Sequence, residues 1–280
     1  MPLFLLKKTV DWSLLTNGFN IPLEFQPLVH GLYDAPIAPG ESRNIKIVID
    51  GEGYDAKLNN INFDRDTYSE HKDLLQIRYS AGSALARKLQ GIFGASYNYI
   101  TQMRSLPENR GRQIRLPASI NEYVSLYSST MQDTFVLECF TDSENRQLVQ
   151  DVRQYQELEY EAVELMQDSH TGYALRVTKV RRLDQSIGES LKRLYDNRCQ
   201  ITGEKIGEEY GNEVIEAHHI EFFTTSLNND SSNIIIISPN FHRIIHKNLP
   251  EFDRDRLEFR FPNGVVEKVK LNKHLKQTLL

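Results

Sequence analysis

Four of the eight histidines in this chain fall within one window, EAHHIEFFTTSLNNDSSNIIIISPNFHRIIHK, residues 216 to 247. They are His218, His219, His242 and His246. Imidazole is the commonest metal ligand and the most versatile general base near neutral pH. Such a cluster is a working site, a structural metal site or chance. Spacing gives it a geometry. His242 and His246 are four residues apart in PNFHRIIHKNL, a helical pattern with Pro239 near its start, where the missing N–H costs nothing. Residues i and i+4 share a helix face, so this pair can chelate one ion. His218 and His219 end the strand-like stretch before it, and adjacent strand residues point to opposite sides. One can join the helix pair on a metal while its neighbour faces a substrate beside the metal. That arrangement suits water activation and stabilisation of a pentavalent phosphate.

Several elements must hold these side chains. DQSIGESLKRLYDNRCQ reads as a helix with Ile187, Leu191, Leu194 and Tyr195 on its apolar face. ITGEKIGEEYGNEVIEAHHI reads as turn, loop and strand, and NIIIIS as a short, fully apolar strand. LEFRFPNGVVEKVKL reads as a β-hairpin turning at Asn263–Gly264.

The pair His218–His219, then Asn233, then H-x-x-x-H after an apolar strand, resembles the HNH nuclease family, whose core is a ββα-metal finger. The resemblance spans residues 185 to 275 and includes the run-in LYDNRCQITG, the AHHI strand end, SSNIIIISPNFHRIIH and the closing hairpin. It implies His219 as the general base that takes a proton from the attacking water. It implies His218 and His242 as metal ligands, with His246 either a further ligand or a support. Asn233 matches the residue that holds the loop and orients the base, although an asparagine there can also simply cap a turn. Glu216 is either a salt-bridge partner or an acceptor for a histidine N–H. The implied ion is divalent, magnesium or manganese, with softer ions favoured by imidazole ligands. Many members carry a zinc knuckle. Here the two C-x-x-C positions read Cys199-Gln-Ile-Thr202 and Ser238-Pro-Asn-Phe241, so no structural zinc is expected, and Ile201 and Phe241 are candidates to replace it by packing.

The first 180 residues read as a β-rich α+β domain, and residues 181–280 as the nuclease domain. NIKIVID and GEGYDAKLNNINFD form a hairpin-like pair around Gly51 and Gly53, and LLQIRYS and DTFVLECFT read as strands. SALARKLQGIFG reads as a helix with Leu85, Leu89, Ile92 and Phe93 on one face and Ser83 as its N-cap. SENRQLVQDVRQYQELEYEAVELMQ is rich in helix formers, and GYALRVTKVRRL reads as a strand. Basic and aromatic residues interleave between Arg78 and Arg115, which suits phosphates, base edges and stacking. Arg78, Tyr79, Tyr97 and Arg104 are the candidate nucleic-acid contacts there, joined by Arg243 of the histidine-bearing helix. The bland alternative is a solvated loop with core tyrosines.

Bulk composition bounds the rest. The chain has 280 residues and a net charge of −5, so any basic face must be local. No apolar run approaches the roughly 20 residues of a membrane helix. The first residues carry their lysines after the apolar patch, unlike a secretory signal. Cys139 and Cys199, 60 residues apart, give no disulfide framework and fit a reducing cytoplasm. The remaining histidines, His30, His71, His170 and His274, read as surface or core residues. Together these readings imply a metal-dependent DNA endonuclease of restriction or phage-defence type, a homodimer if both strands are cut at once. The alternatives are a non-catalytic HNH scaffold that binds nucleic acid or a partner, and an RNA-directed nuclease.

Overall fold

The computed structural model describes residues 2–63, 74–147, 172–221, 228 and 230–275, with side chains of the helix beginning at 172 described from residue 182. His71, His170 and most of the helix-rich segment 143–167 lie outside these residues. The chain is α+β and divides into two compact units, Met1–Gln154 and Tyr155–Leu280.

In the first unit seven strands form one sheet. They are β1 (Phe4–Thr9), β2 (Gly18–Asn20), β3 (Ser42–Ile49), β4 (Glu52–Ile61), β5 (Leu74–Arg78), β6 (Tyr123–Ser128) and β7 (Thr134–Phe140), in the order β1-β6-β7-β3-β4-β5-β2. The β3–β4 hairpin turns through Asp50 (φ 52°) and Gly51 (φ 82°), the two left-handed positions that a tight hairpin turn requires. Alternation assigns the faces. Ile45, Ile47 and Ile49 of β3 and Ala56 and Leu58 of β4 are buried, while Lys57 is exposed. Among the described residues the one parallel pairing in the sheet joins β3 to β7. Helices α1 (Trp12–Thr16), α2 (Gln26–His30), α3 (Ala84–Ile92) and α4 (Gly94–Ser105) also belong to this unit. Asp11 caps α1 by accepting from the Leu14 amide at 2.8 Å, and Ser83 caps α3 through the Ala86 amide at 3.1 Å. These caps aim the apolar faces of α1 and α3 at each other, burying Leu14, Leu15, Leu85 and Leu89.

The second unit opens with α5 (Gly172–Leu194). The strand expected over GYALRVTKVRRL is therefore a helix, and the expected division at 180/181 falls inside it. Val177, Thr178 and Val180 favour a strand locally, but the following segment imposes a 3.6-residue period. Leu183, Ile187, Leu191 and Leu194 are all buried, so tertiary packing overrides the local preference. Strands β8 (Glu216–His219) and β9 (Ile234–Ile237) pair antiparallel and lead into α6 (Pro239–Asn248). Ser238 caps α6, accepting from the Phe241 amide at 3.4 Å. Ile234 to Ile237 are at most 1 % exposed, each contributing about 1.5–3 kcal/mol of apolar burial. β10 (Glu251–Asp253), β11 (Glu258–Arg260) and β12 (Val266–Lys268) form a small sheet whose last turn contains Gly264 (φ 87°).

The turn after α5 is held by hydrogen bonds as well as by packing. Gln200 is fully buried. Its Oε1 accepts from the Ile236 amide at 2.8 Å, and its side-chain amide donates to the Leu271 carbonyl at 3.0 Å. The Gln200 main chain bonds to Ile236, Lys270 and Leu271. One residue thus ties the turn after α5 to β9 and to the C-terminal segment. Ile201 is buried beside it, Phe241 is half-buried, and Cys199 is a buried free thiol.

Candidate metal centre

The pleat of β8 separates its residues by face. Glu216 and His218 are two apart and project the same way, towards α6, whereas His219 projects to the other side. On α6 the i, i+4 spacing brings His242 and His246 together, their rings 4.6 Å apart. His218 meets both, with ring centroids 5.0 Å from His242 and 4.9 Å from His246. One nitrogen from each of the three lies within 4.8 Å of the others.

The chemistry of these donors fits a metal ion. A tetrahedral ion with metal–nitrogen distances of about 2.0–2.1 Å places its ligand nitrogens about 3.3 Å apart. The Nε2 atoms of His242 and His246 are already 3.0 Å apart. His218 is 3 % exposed, and burial, followed by the neighbouring imidazoles, pushes its pKa down to about 3. It is thus neutral, the form that ligates. Burial also lowers the pKa of His246, against a smaller opposing pull from Glu216. Glu216 accepts a short hydrogen bond from His242 Nδ1. A carboxylate there fixes the orientation of the ring, with His242 Nε2 directed at His246. Either role open to Glu216 is exercised through this contact with His242.

On the opposite face, His219 Nε2 lies 2.9 Å from Asp184 Oδ1 of α5. Asn233 is fully buried at the start of β9 and closes the loop between the strands. Its Oδ1 accepts from the Glu221 amide at 2.9 Å, and its side-chain amide donates to the carbonyls of Glu221 and Asn228, both at 3.0 Å. Its carbonyl accepts from Ile220, the residue after His219, at 2.8 Å. Arg254 reaches the same loop, donating to Ser232 O at 3.0 Å and to Asn233 Oδ1 at 3.2 Å. Behind β9 runs a buried relay. Tyr195 donates to His274 Nδ1 at 2.6 Å, and His274 Nε2 donates to the Ile234 carbonyl at 2.8 Å.

Sequence reasoning missed Asp184, Arg254 and the linking role of His274. The helical register of Asp184 was readable, but nothing in the sequence linked it to His219. The candidate nucleic-acid residues separate. Arg243 is exposed on α6 next to His242. Tyr97 stacks on Trp12, ring centroids 6.3 Å apart and 7° from parallel, and the Arg104 guanidinium sits 4.5 Å over the Trp12 ring. Arg78 is exposed at the end of β5. Tyr79 turns inward, its hydroxyl donating to the Leu14 carbonyl, and burial raises its pKa. Trp12 was another residue the sequence reading passed over. Among the described residues no helix is long and apolar enough to cross a membrane. Comparison with known proteins gives no match to a family model, a curated protein or a solved structure.

Proposed function

We propose that this chain is a metal-dependent DNA endonuclease of restriction or phage-defence type, built on an HNH-like ββα finger and targeted by its N-terminal unit. One observation carries the reading. Three imidazoles converge on one face of a short strand pair, and the adjacent histidine projects from the other face beside a carboxylate. A divalent ion held by His218, His242 and His246 supplies positive charge for the phosphate in the transition state. Of the ions expected, manganese suits this all-nitrogen set better than magnesium, which prefers oxygen, and cobalt, nickel and zinc suit it as well.

The chain's own residues do the rest. His219 accepts a proton from the water that attacks phosphorus. Asp184, 2.9 Å away, holds the ring and stabilises the imidazolium that results. Asn233 and Arg254 hold Glu221, two residues after His219, and with it the strand end carrying His219. Arg243 offers a fork for a flanking phosphate. A single site cuts a single strand, so a double-strand break takes a homodimer or successive nicks.

The test is cleavage of supercoiled plasmid with each metal and with EDTA. Nicking that requires metal and falls at least about a hundredfold in His219→Ala supports the reading. Metal-loaded, folded wild type that cleaves RNA and not DNA replaces the substrate. Cleavage of neither makes the fold a scaffold.

A further inference from the structure

The segment from Arg104 to Arg115 holds four arginines, Arg104, Arg110, Arg112 and Arg115, against one glutamate, in a chain of net charge −5. All four are exposed. Several cations elsewhere sit against carboxylates. Lys46 pairs with Asp55 at 2.6 Å, Arg146 with Asp142 at 2.5 Å, Arg260 with Asp253 at 2.7 Å, and Lys205 has three acidic neighbours. Among the described residues none of the four arginines has a carboxylate within 4.0 Å. Like charges gathered without counter-charges repel one another, and an anionic partner relieves that repulsion.

The end of the same segment, Gln113 to Arg115, continues into one wall of a groove of about 670 Å³ whose other wall is the end of β1 and the lead into α1. Lys7, Lys8, Gln113, Arg115 and Asn121 are among the residues that line it. The Lys7 ammonium sits 4.4 Å above the Tyr123 ring, which holds it in place, and Asp11 takes up Lys8 at 2.5 Å. Asp11, also in the lining, is followed by Trp12, which carries Tyr97 on one side and Arg104 on the other. Arginine forks match phosphate oxygens, while Gln, Asn and Arg side chains read base edges. None of the exposed large apolar residues, such as Met131, Ile244 and Leu249, belongs to this segment, so it has no wedge for a lipid surface.

We infer that this groove and the arginine segment leading into it, and not the Arg78–Tyr79 edge, are the DNA-binding face of the N-terminal unit, with Arg104, Arg110 and Arg112 on the phosphodiester backbone and Gln113 and Arg115 towards the bases. The choice of DNA over other polyanions rests on the nuclease reading; the groove itself does not. The experiment is equilibrium binding of labelled duplex DNA to the full chain in EDTA, at several salt concentrations. The triple variant Arg110→Glu, Arg112→Glu, Arg115→Glu is compared with Arg78→Glu and Lys57→Glu. The expected result is at least a tenfold loss of affinity in the triple variant. The slope of log affinity against log salt should fall by about one for each phosphate contact removed. The two controls should stay within twofold, and all variants should melt as wild type does. Equal losses in controls and triple variant overturn the inference. So does wild type that binds no DNA, or that prefers RNA or anionic vesicles. Because nothing is cleaved in EDTA, a dead metal site leaves this test intact, and a failed groove leaves the plasmid test intact.

Discussion

The two units hold themselves together differently. In Met1–Gln154 a long-stranded sheet carries a large apolar centre: Leu14, Phe25, Ile47, Leu58, Leu75, Ile77, Leu89 and Phe135 are at most 1 % exposed, with a few polar residues such as Ser96 and Ser125 buried beside them. In Tyr155–Leu280 the strands are three or four residues long, and polar side chains are buried among the isoleucines. Gln200, Ser190, Asn233, His218 and His274 are each at most 3 % exposed. Short strands bury too little apolar surface to position loops. Hydrogen bonds from Gln200, Asn233 and His274 do that here, and the buried histidines make the unit pH-sensitive and receptive to a metal.

Four perturbations test this contrast, the largest first. Leu58→Ala should cost about 3–4 kcal/mol through its cavity, read as faster hydrogen exchange in the first unit, with metal affinity unchanged. Equal loss of protection in both units would break the contrast.

Acid should act on the second unit. His274 is buried, and desolvation brings its pKa down to about 4 from the ordinary 6.5. The unfolded chain therefore binds this proton first as pH falls below 6.5. Stability is complete above that value and is lost between 6.5 and 4, by up to about 3 kcal/mol. His218 adds to the same trend in metal-free protein, so His274→Gln should roughly halve the slope of stability against pH. A slope that His274→Gln leaves unchanged would remove this account.

Gln200→Leu keeps the volume but leaves the Ile236 amide and the Leu271 carbonyl without partners. About 2 kcal/mol should be lost from the second unit, measured by the same exchange experiment. The smallest effect belongs to Glu216→Gln, which exchanges a charged acceptor for a neutral one behind His242. Calorimetric titration with zinc or manganese should show about tenfold weaker binding at unchanged stability.

Much of this was readable in advance, for physical reasons that differ by residue. The cap at Ser83, the turn at Asn263–Gly264 and the i, i+4 pair on α6 are local. Backbone geometry over a few residues decides them. The opposed directions of His218 and His219 follow from the pleat alone. The first part of α5 was misread because Val177, Thr178 and Val180 fit a strand as well as a helix, and only its apolar continuation selects between them. The pairing of β3 with β7 joins residues almost ninety positions apart and has no local signature.

The sequence by itself therefore determined which side chains could do chemistry and which way each would face on its own element. Tertiary structure decided what each of them meets. It set Asp184 against His219, Glu216 against His242 and Arg254 against the Asn233 loop, and it turned Tyr79 inward while exposing the arginines from Arg104 to Arg115. Direction along one strand or helix is fixed by covalent geometry, whereas the partner across a gap depends on how distant segments pack.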